Sequence, residues 1–164
     1  SSTDHKEIGI MYLWFSLFMA VFGGAFAGLI RLQLSHANAG YLTPEFYNQM
    51  LSMHATLMIF FVIIPAFTGF GNYFAPLLIG ARDMAFPKLN MTSYWLYFLG
   101  GVTMLASFFA PGGAANSGWT AYAPLSDIAT VGQTFWLIGM VFLINSSLLG
   151  AVNFITTVTR RALS

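Results

Sequence analysis

Apolar residues fill positions 10–34, 48–78, 91–110 and 130–158 almost without a break. A helix needs about 20 consecutive apolar residues to cross roughly 30 Å of hydrocarbon. Each stretch therefore predicts a transmembrane helix, and together they predict an all-α membrane protein, one polytopic helix bundle over residues 1–164 with four helices. A β-barrel is excluded, because its strands alternate polarity residue by residue and these runs do not. Local signals mark the helix ends. Thr43-Pro44-Glu45 offers an N-cap and a first-turn proline at the head of the second helix, and Ser126-Asp127 announces the fourth. Pro111-Gly112-Gly113 breaks the third. Pro65, Gly69 and Gly71 interrupt the second span and predict a kink or the close approach of a neighbour. The small residues Gly23, Gly24, Ala25, Ala27 and Gly28 on the first span suit packing against a helix or a flat ligand.

Composition sharpens this picture. The chain is 57% hydrophobic and 7% charged, well below the charge of an ordinary soluble domain, and nucleic-acid binding has no electrostatic footing. There is no cysteine, so disulfides, thiolate-held clusters and covalent heme attachment are excluded within the stretch, and a metal must use His, Met or oxygen ligands. The chain begins without Met and stops just after an apolar run, which predicts a piece of a longer protein. The first run is too long for a cleavable signal peptide. Lys6, Arg82, Lys88, Arg160 and Arg161 all fall on one side of the bundle and Arg31 on the other. The positive-inside rule makes the first side cytoplasmic, with the N-terminus.

Chemistry is confined to few residues. His54 sits in an apolar and aromatic stretch of the second helix, where an imidazole must find a partner because an unsatisfied polar group in hydrocarbon costs several kcal/mol. It is either hydrogen-bonded to a neighbouring helix or a metal or heme ligand. Arg31 is at the same outer level, either snorkelling to the interface or meeting the same ligand. On the opposite side Asp83 is the one carboxylate of the loop between spans two and three, with Asn72, Asn90 and Ser93 around it. Ser146, Asn153 and Thr157 share a stripe of the fourth helix, and Tyr12 comes early on the first. Such amides and hydroxyls around one acid can order water for protons; a loop aspartate paired with Arg82 or Lys88 is the plainer alternative.

Four motifs in order, Met53-His54-Ala55-Thr56-Leu57-Met58-Ile59-Phe60-Phe61, Gly71-Asn72-Tyr73-Phe74-Ala75-Pro76-Leu77, Ile79-Gly80-Ala81-Arg82-Asp83-Met84-Ala85-Phe86-Pro87 and Gly118-Trp119-Thr120-Ala121-Tyr122-Ala123-Pro124-Leu125-Ser126, resemble subunit I of the A-type heme-copper oxygen reductases over almost the whole chain. The resemblance implies the first four of twelve helices in a catalytic subunit that reduces dioxygen to water and pumps protons. It implies that His54 is an axial ligand of a low-spin heme A whose formyl Arg31 bonds. The second axial His, the second heme and the copper would belong to later helices. Where the family more often has Gly after the ligand, this chain has Ala55. The resemblance also implies a proton channel that starts at Asp83 and uses Tyr12, Asn72, Asn90, Ser93, Ser146, Ser147 and Asn153.

Quinol-oxidising relatives carry an Arg and an Asp near the positions of Phe22 and Phe26 and a His where Phe46 stands. Their absence favours cytochrome c as donor, through a copper-containing subunit II among other oxidase subunits, in a bacterial inner membrane. A quinol oxidase of the same superfamily, a b-type heme protein and a secondary transporter are the competing classes. The b-type proteins normally pair two histidines on one helix, and transporters show broken helices in a paired repeat.

Overall fold

The computed structural model describes residues 2–162, and the side chain of Arg161, one of the expected inner cations, lies outside that description. The described residues form four helical runs. The first, α1 (His5–Gln33), starts on Asp4, whose carboxylate accepts from Lys6 N at 2.7 Å and Glu7 N at 3.3 Å, two of the amides that a helix start leaves unpaired. Glu7 in its first turn and Arg31 in its last complement the helix dipole. Gln33 then ties down the following turn, donating to the Ala39 carbonyl and accepting from Leu42 N at 2.8 Å.

The second run is α2 (Pro44–Thr56), a π-helical segment (Leu57–Ile63) and α3 (Ile64–Leu78). Thr43 caps it through Phe46 N at 3.3 Å, and Pro44 occupies the first turn, where a missing N–H costs nothing. The predicted interruption at Pro65 takes the form of the π segment just ahead of it. Gly80, at φ 68°, turns the chain toward α4 (Pro87–Ala106). The α-helix ends at Ala106, short of the expected Ala110, because Ser107–Phe109 tighten into a 3₁₀ turn before Gly112 and Gly113 at φ 82° and 81°. A long loop leads to α5 (Val131–Ala162), and the described residues contain no strand beyond an isolated bridge between Ala114 and Gly132.

Three runs, His5–Gln33, Pro44–Leu78 and Val131–Arg160, are long and apolar enough to cross a membrane. The helix α4 is long enough at 20 residues, but Asn90, Ser93, Tyr94 and Tyr97 on its buried face make it more polar. Lipid is as apolar as leucine, so helices in it associate through close packing and hydrogen bonds. Glycines supply the close packing. A Cβ on Gly69 would lie 2.9 Å from Gly9 O, one on Gly71 2.9 Å from Phe154 Cζ, and one on Gly100 2.9 Å from Gly139 O. These contacts join α1 to α3, α3 to α5 and α4 to α5. At the centre Tyr12 stacks on Tyr97 with ring centroids 5.1 Å apart, and Phe15 and Phe61 pack against Tyr97 at 5.2 and 5.9 Å.

Candidate functional site

His54 Nδ1 lies 2.8 Å from the Gly23 carbonyl of α1. A carbonyl only accepts, so Nδ1 carries a proton, and in the neutral ring the lone pair is then on Nε2. Nε2 bonds to no described residue. The approach is possible because Gly23 has no side chain: a Cβ there would sit 2.7 Å from Met58 Sδ. The expected hydrogen bond to a neighbouring helix therefore exists, and it uses only one ring nitrogen. A hydrogen bond of this kind on the far ring nitrogen is what fixes tautomer and ring orientation in histidines that ligate a metal.

On α1, starting one residue past the carbonyl that holds the imidazole, Gly24, Gly28 and Arg31 form one stripe at helical spacing. A Cβ built on Gly24 or Gly28 would meet nothing within 4 Å, and Arg31 is exposed. Gly23 thus packs a helix, while Gly24 and Gly28 leave a smooth open face that a planar macrocycle fits. The donor set, one neutral imidazole with a free Nε2 beside two bare glycines, suits a heme iron.

At the other end the polar residues interlock. Asn90 Nδ2 donates to Asn72 Oδ1 at 2.6 Å, and Asn72 Nδ2 to Thr68 O at 2.9 Å. Asn153 accepts from Phe86 N at 2.9 Å and donates to Phe86 O at 3.2 Å, while Thr157 Oγ1 accepts from Ala85 N at 2.9 Å. These bonds pin the loop after Asp83 onto α5. Asp83 itself accepts from Met84 N at 2.7 Å, and among the described residues it pairs with neither Arg82 nor Lys88. It lines a cavity of about 540 Å³ together with Arg82, Thr157 and Arg160.

Further in, Ser93 Oγ donates to Ser146 O at 2.7 Å and Ser146 Oγ to Ser93 O at 2.6 Å. Each hydroxyl has one proton, so Tyr12, 2.8 Å from Ser93 Oγ, must be the donor in that contact. Tyr12 also borders a second cavity, of about 240 Å³, lined with it by Thr68, Tyr97, Ser146, Ser147 and Gly150 among others. That volume holds several waters at about 30 Å³ each. Ser147 is exposed on its rim, whereas Tyr12, Asn72, Asn90, Ser93, Ser146 and Asn153 are all buried.

His5 escaped the sequence reading. It is 2% exposed, and its Nδ1 donates to Asn72 O at 2.8 Å. The signal was present, since His5, Ile8 and Tyr12 fall at helical spacing on one face. Trp136 was also missed; its Nε1 donates to Thr56 Oγ1 at 2.9 Å and ties α5 to the turn that carries His54.

The fold and these two polar ends define a polytopic helical membrane bundle with a histidine presented at one end and a buried hydroxyl and amide network at the other. Residues 7–163 match the family model described as Cytochrome C and Quinol oxidase polypeptide I. The chain is 43% identical over 158 residues to Cytochrome c oxidase subunit 1 of Synechocystis sp. and 46% over 159 residues to that of Thermostichus vulcanus. It is 44% identical over 161 residues to the Probable cytochrome c oxidase subunit 1-alpha of Streptomyces coelicolor. Each match covers 96% of the chain and 28% of the relative. The chain belongs to this subunit I family, as its motifs led one to expect, and spans 28% of the length of these relatives.

Proposed function

We propose that the chain is the first four helices of the twelve-helix catalytic subunit of a terminal respiratory oxidase, an oxidoreductase that reduces dioxygen to water and pumps protons. One observation carries this reading: His54 gives its Nδ1 proton to Gly23 O and keeps Nε2 free beside the open glycines. His54 would hold the iron of a low-spin heme through Nε2, together with a histidine of a later helix. The heme, when bound, supplies one-electron carriage toward a second heme and a copper held by later helices. Gly23 orients the imidazole, Gly24 and Gly28 make room for the ring, and Arg31 donates to a peripheral group, a formyl if the heme is of the A type. Axial ligation and this hydrogen bond tune the redox potential.

Protons are taken up at Asp83 and pass by water along the asparagine layer to the cavity beneath Tyr12. Asn90 Oδ1, buried and accepting from no described residue, is an acceptor for that water. The protein lies in a bacterial inner membrane with Asp83, Lys88 and the N-terminus on the cytoplasmic side, in line with the distribution of basic residues.

Cytochrome c, acting through a copper-containing subunit II, is the donor. Phe22 and Phe26 support this, because they pack against Phe18 and Phe108 at 5.1 and 5.2 Å and offer no polar group to a quinol. Oxygen uptake by the purified complex should require reduced cytochrome c; rapid turnover on a quinol analogue alone would reverse that assignment. His54→Ala tests the whole reading: the low-spin band should vanish from the reduced-minus-oxidised spectrum of a complex that still inserts, and an unchanged band would end it.

A further inference from the structure

The π-helical segment Leu57–Ile63 begins three residues after His54 and ends two residues before Pro65. Ile64 N reaches back five residues to Ile59 O, the π spacing. Pro65 has no N–H, and its ring crowds the carbonyl four residues earlier, that of Phe61. Buried carbonyls need a donor. Here the donor comes from another helix: Tyr97 OH of α4 donates to Phe61 O at 2.8 Å, both residues being 0% exposed. The only proton on the phenol is thereby committed to a backbone oxygen, and Ser16 Oγ of α1 donates to the phenol oxygen at 3.1 Å.

The extra residue sets the rotation of everything that follows. His54 and Asn72 are eighteen residues apart, which in a regular α-helix, at about 3.6 residues per turn, puts them on one face. In the structure His54 meets Gly23 of α1, whereas the Asn72 side chain meets Asn90 of α4. One residue of helical phase is about 100°. Without the π turn a rotation of that size would carry Asn72 away from both Asn90 of α4 and His5 of α1, and Gly69 from its contact with Gly9.

We infer that Tyr97 is a positioning residue: by holding Phe61 O it keeps the π turn in place, and so fixes the helical phase between His54 and the Asn72–Asn90 pair. This rests on the reading of His54 as a heme ligand and of the asparagine layer as part of the proton path. Tyr97 also lines the cavity with Tyr12, but its proton goes to Phe61, which is not among the lining residues, and this makes it a wall of the path and a latch on the helix.

The test is Tyr97→Phe in the intact, heme-loaded complex, read by the low-spin band, by the proton-uptake rate and by amide exchange over residues 57–66, with Ser16→Ala and His54→Ala alongside. Tyr97→Phe should shift the band, slow proton uptake several-fold and speed exchange across the π turn, at normal heme content. Ser16→Ala leaves the Tyr97–Phe61 bond intact and should change none of the three. A lower yield of complex whose band, rate and exchange match the wild type would overturn the inference, leaving Tyr97 a packing residue. Slowed uptake with an unmoved band would also overturn it, since the phenol would then serve the cavity alone, and slowed uptake in Ser16→Ala would make the pair a proton route. His54→Ala reports separately on the underlying reading: loss of its band upholds the ligand assignment whatever Tyr97→Phe does.

Discussion

At one end of the bundle His54 bonds α1 through one ring nitrogen and α1 carries two glycines with open space around them, while at the other most polar side chains from Tyr12 to Thr157 are bonded across to another helix or to the loop after Asp83. The geometry of the His54 end is set by one carbonyl and by absent side chains, and on the proposed reading a heme and a histidine of a later helix complete it. The Asp83 end holds its own layer together from α1, α3, α4 and α5. The difference follows from chemistry. A metal needs a free lone pair, held in orientation from behind. A water path needs rigid walls with few free acceptors, because each unpaired buried group costs about 1–3 kcal/mol.

The largest effect that would break this comparison falls at the Asp83 end. Asp83→Asn keeps the shape and the acceptor to Met84 N but cannot release a proton. Steady-state oxygen consumption should drop strongly and proton ejection from reconstituted vesicles should be lost, with the low-spin heme band intact. Normal pumping in that variant would make Asp83 a solvated loop acid and the polar layer mere packing.

A smaller effect sharpens the His54 end. Arg31→Ala should move the low-spin band to shorter wavelength if the guanidinium polarises a conjugated formyl. An unmoved band with normal assembly would mean that Arg31 only snorkels.

The smallest effect is at the start of α1. The Lys6 N–H, with that of Glu7, holds the Asp4 carboxyl below its usual value of 3.8 against a smaller opposing effect of burial. A depressed carboxylate stabilises the helix above its unfolded pKa and loses that contribution as pH falls through the folded value. Asp4→Ala should therefore cost the helix start about 1 kcal/mol near neutrality and nothing in strong acid, read as faster amide exchange at Ile8 and Gly9. Exchange in the variant equal to that of the wild type near neutrality would remove the cap.

Much of the fold was legible because caps and breakers are local. Thr43 and Pro44 announced α2, and Gly112 and Gly113 stopped the third run, although apolar Phe108 and Phe109 hid the end of α4 at Ala106. The π turn was not legible. Leu57–Ile63 is apolar at every position, so an added residue leaves no mark on the hydrophobic pattern. His54 stood out as a lone imidazole in an apolar run, but its single-nitrogen engagement depends on the position of the Gly23 carbonyl, which only packing fixes. The reciprocal bonds between Ser93 and Ser146 were hidden for a similar reason: spacing gives the face of a helix, not the direction of a hydroxyl proton.

Chemical rescue tests the central claim most directly. His54→Ala removes an imidazole whose Nδ1–H bonds Gly23 O and whose Nε2 is free, and free imidazole can make the same hydrogen bond and offer the same lone pair. The difference spectrum of the variant complex should lack the low-spin band, and added imidazole should restore it in proportion to occupancy. A band that survives the substitution, or one that stays lost at saturating imidazole in an assembled complex that retains the heme, would contradict the account.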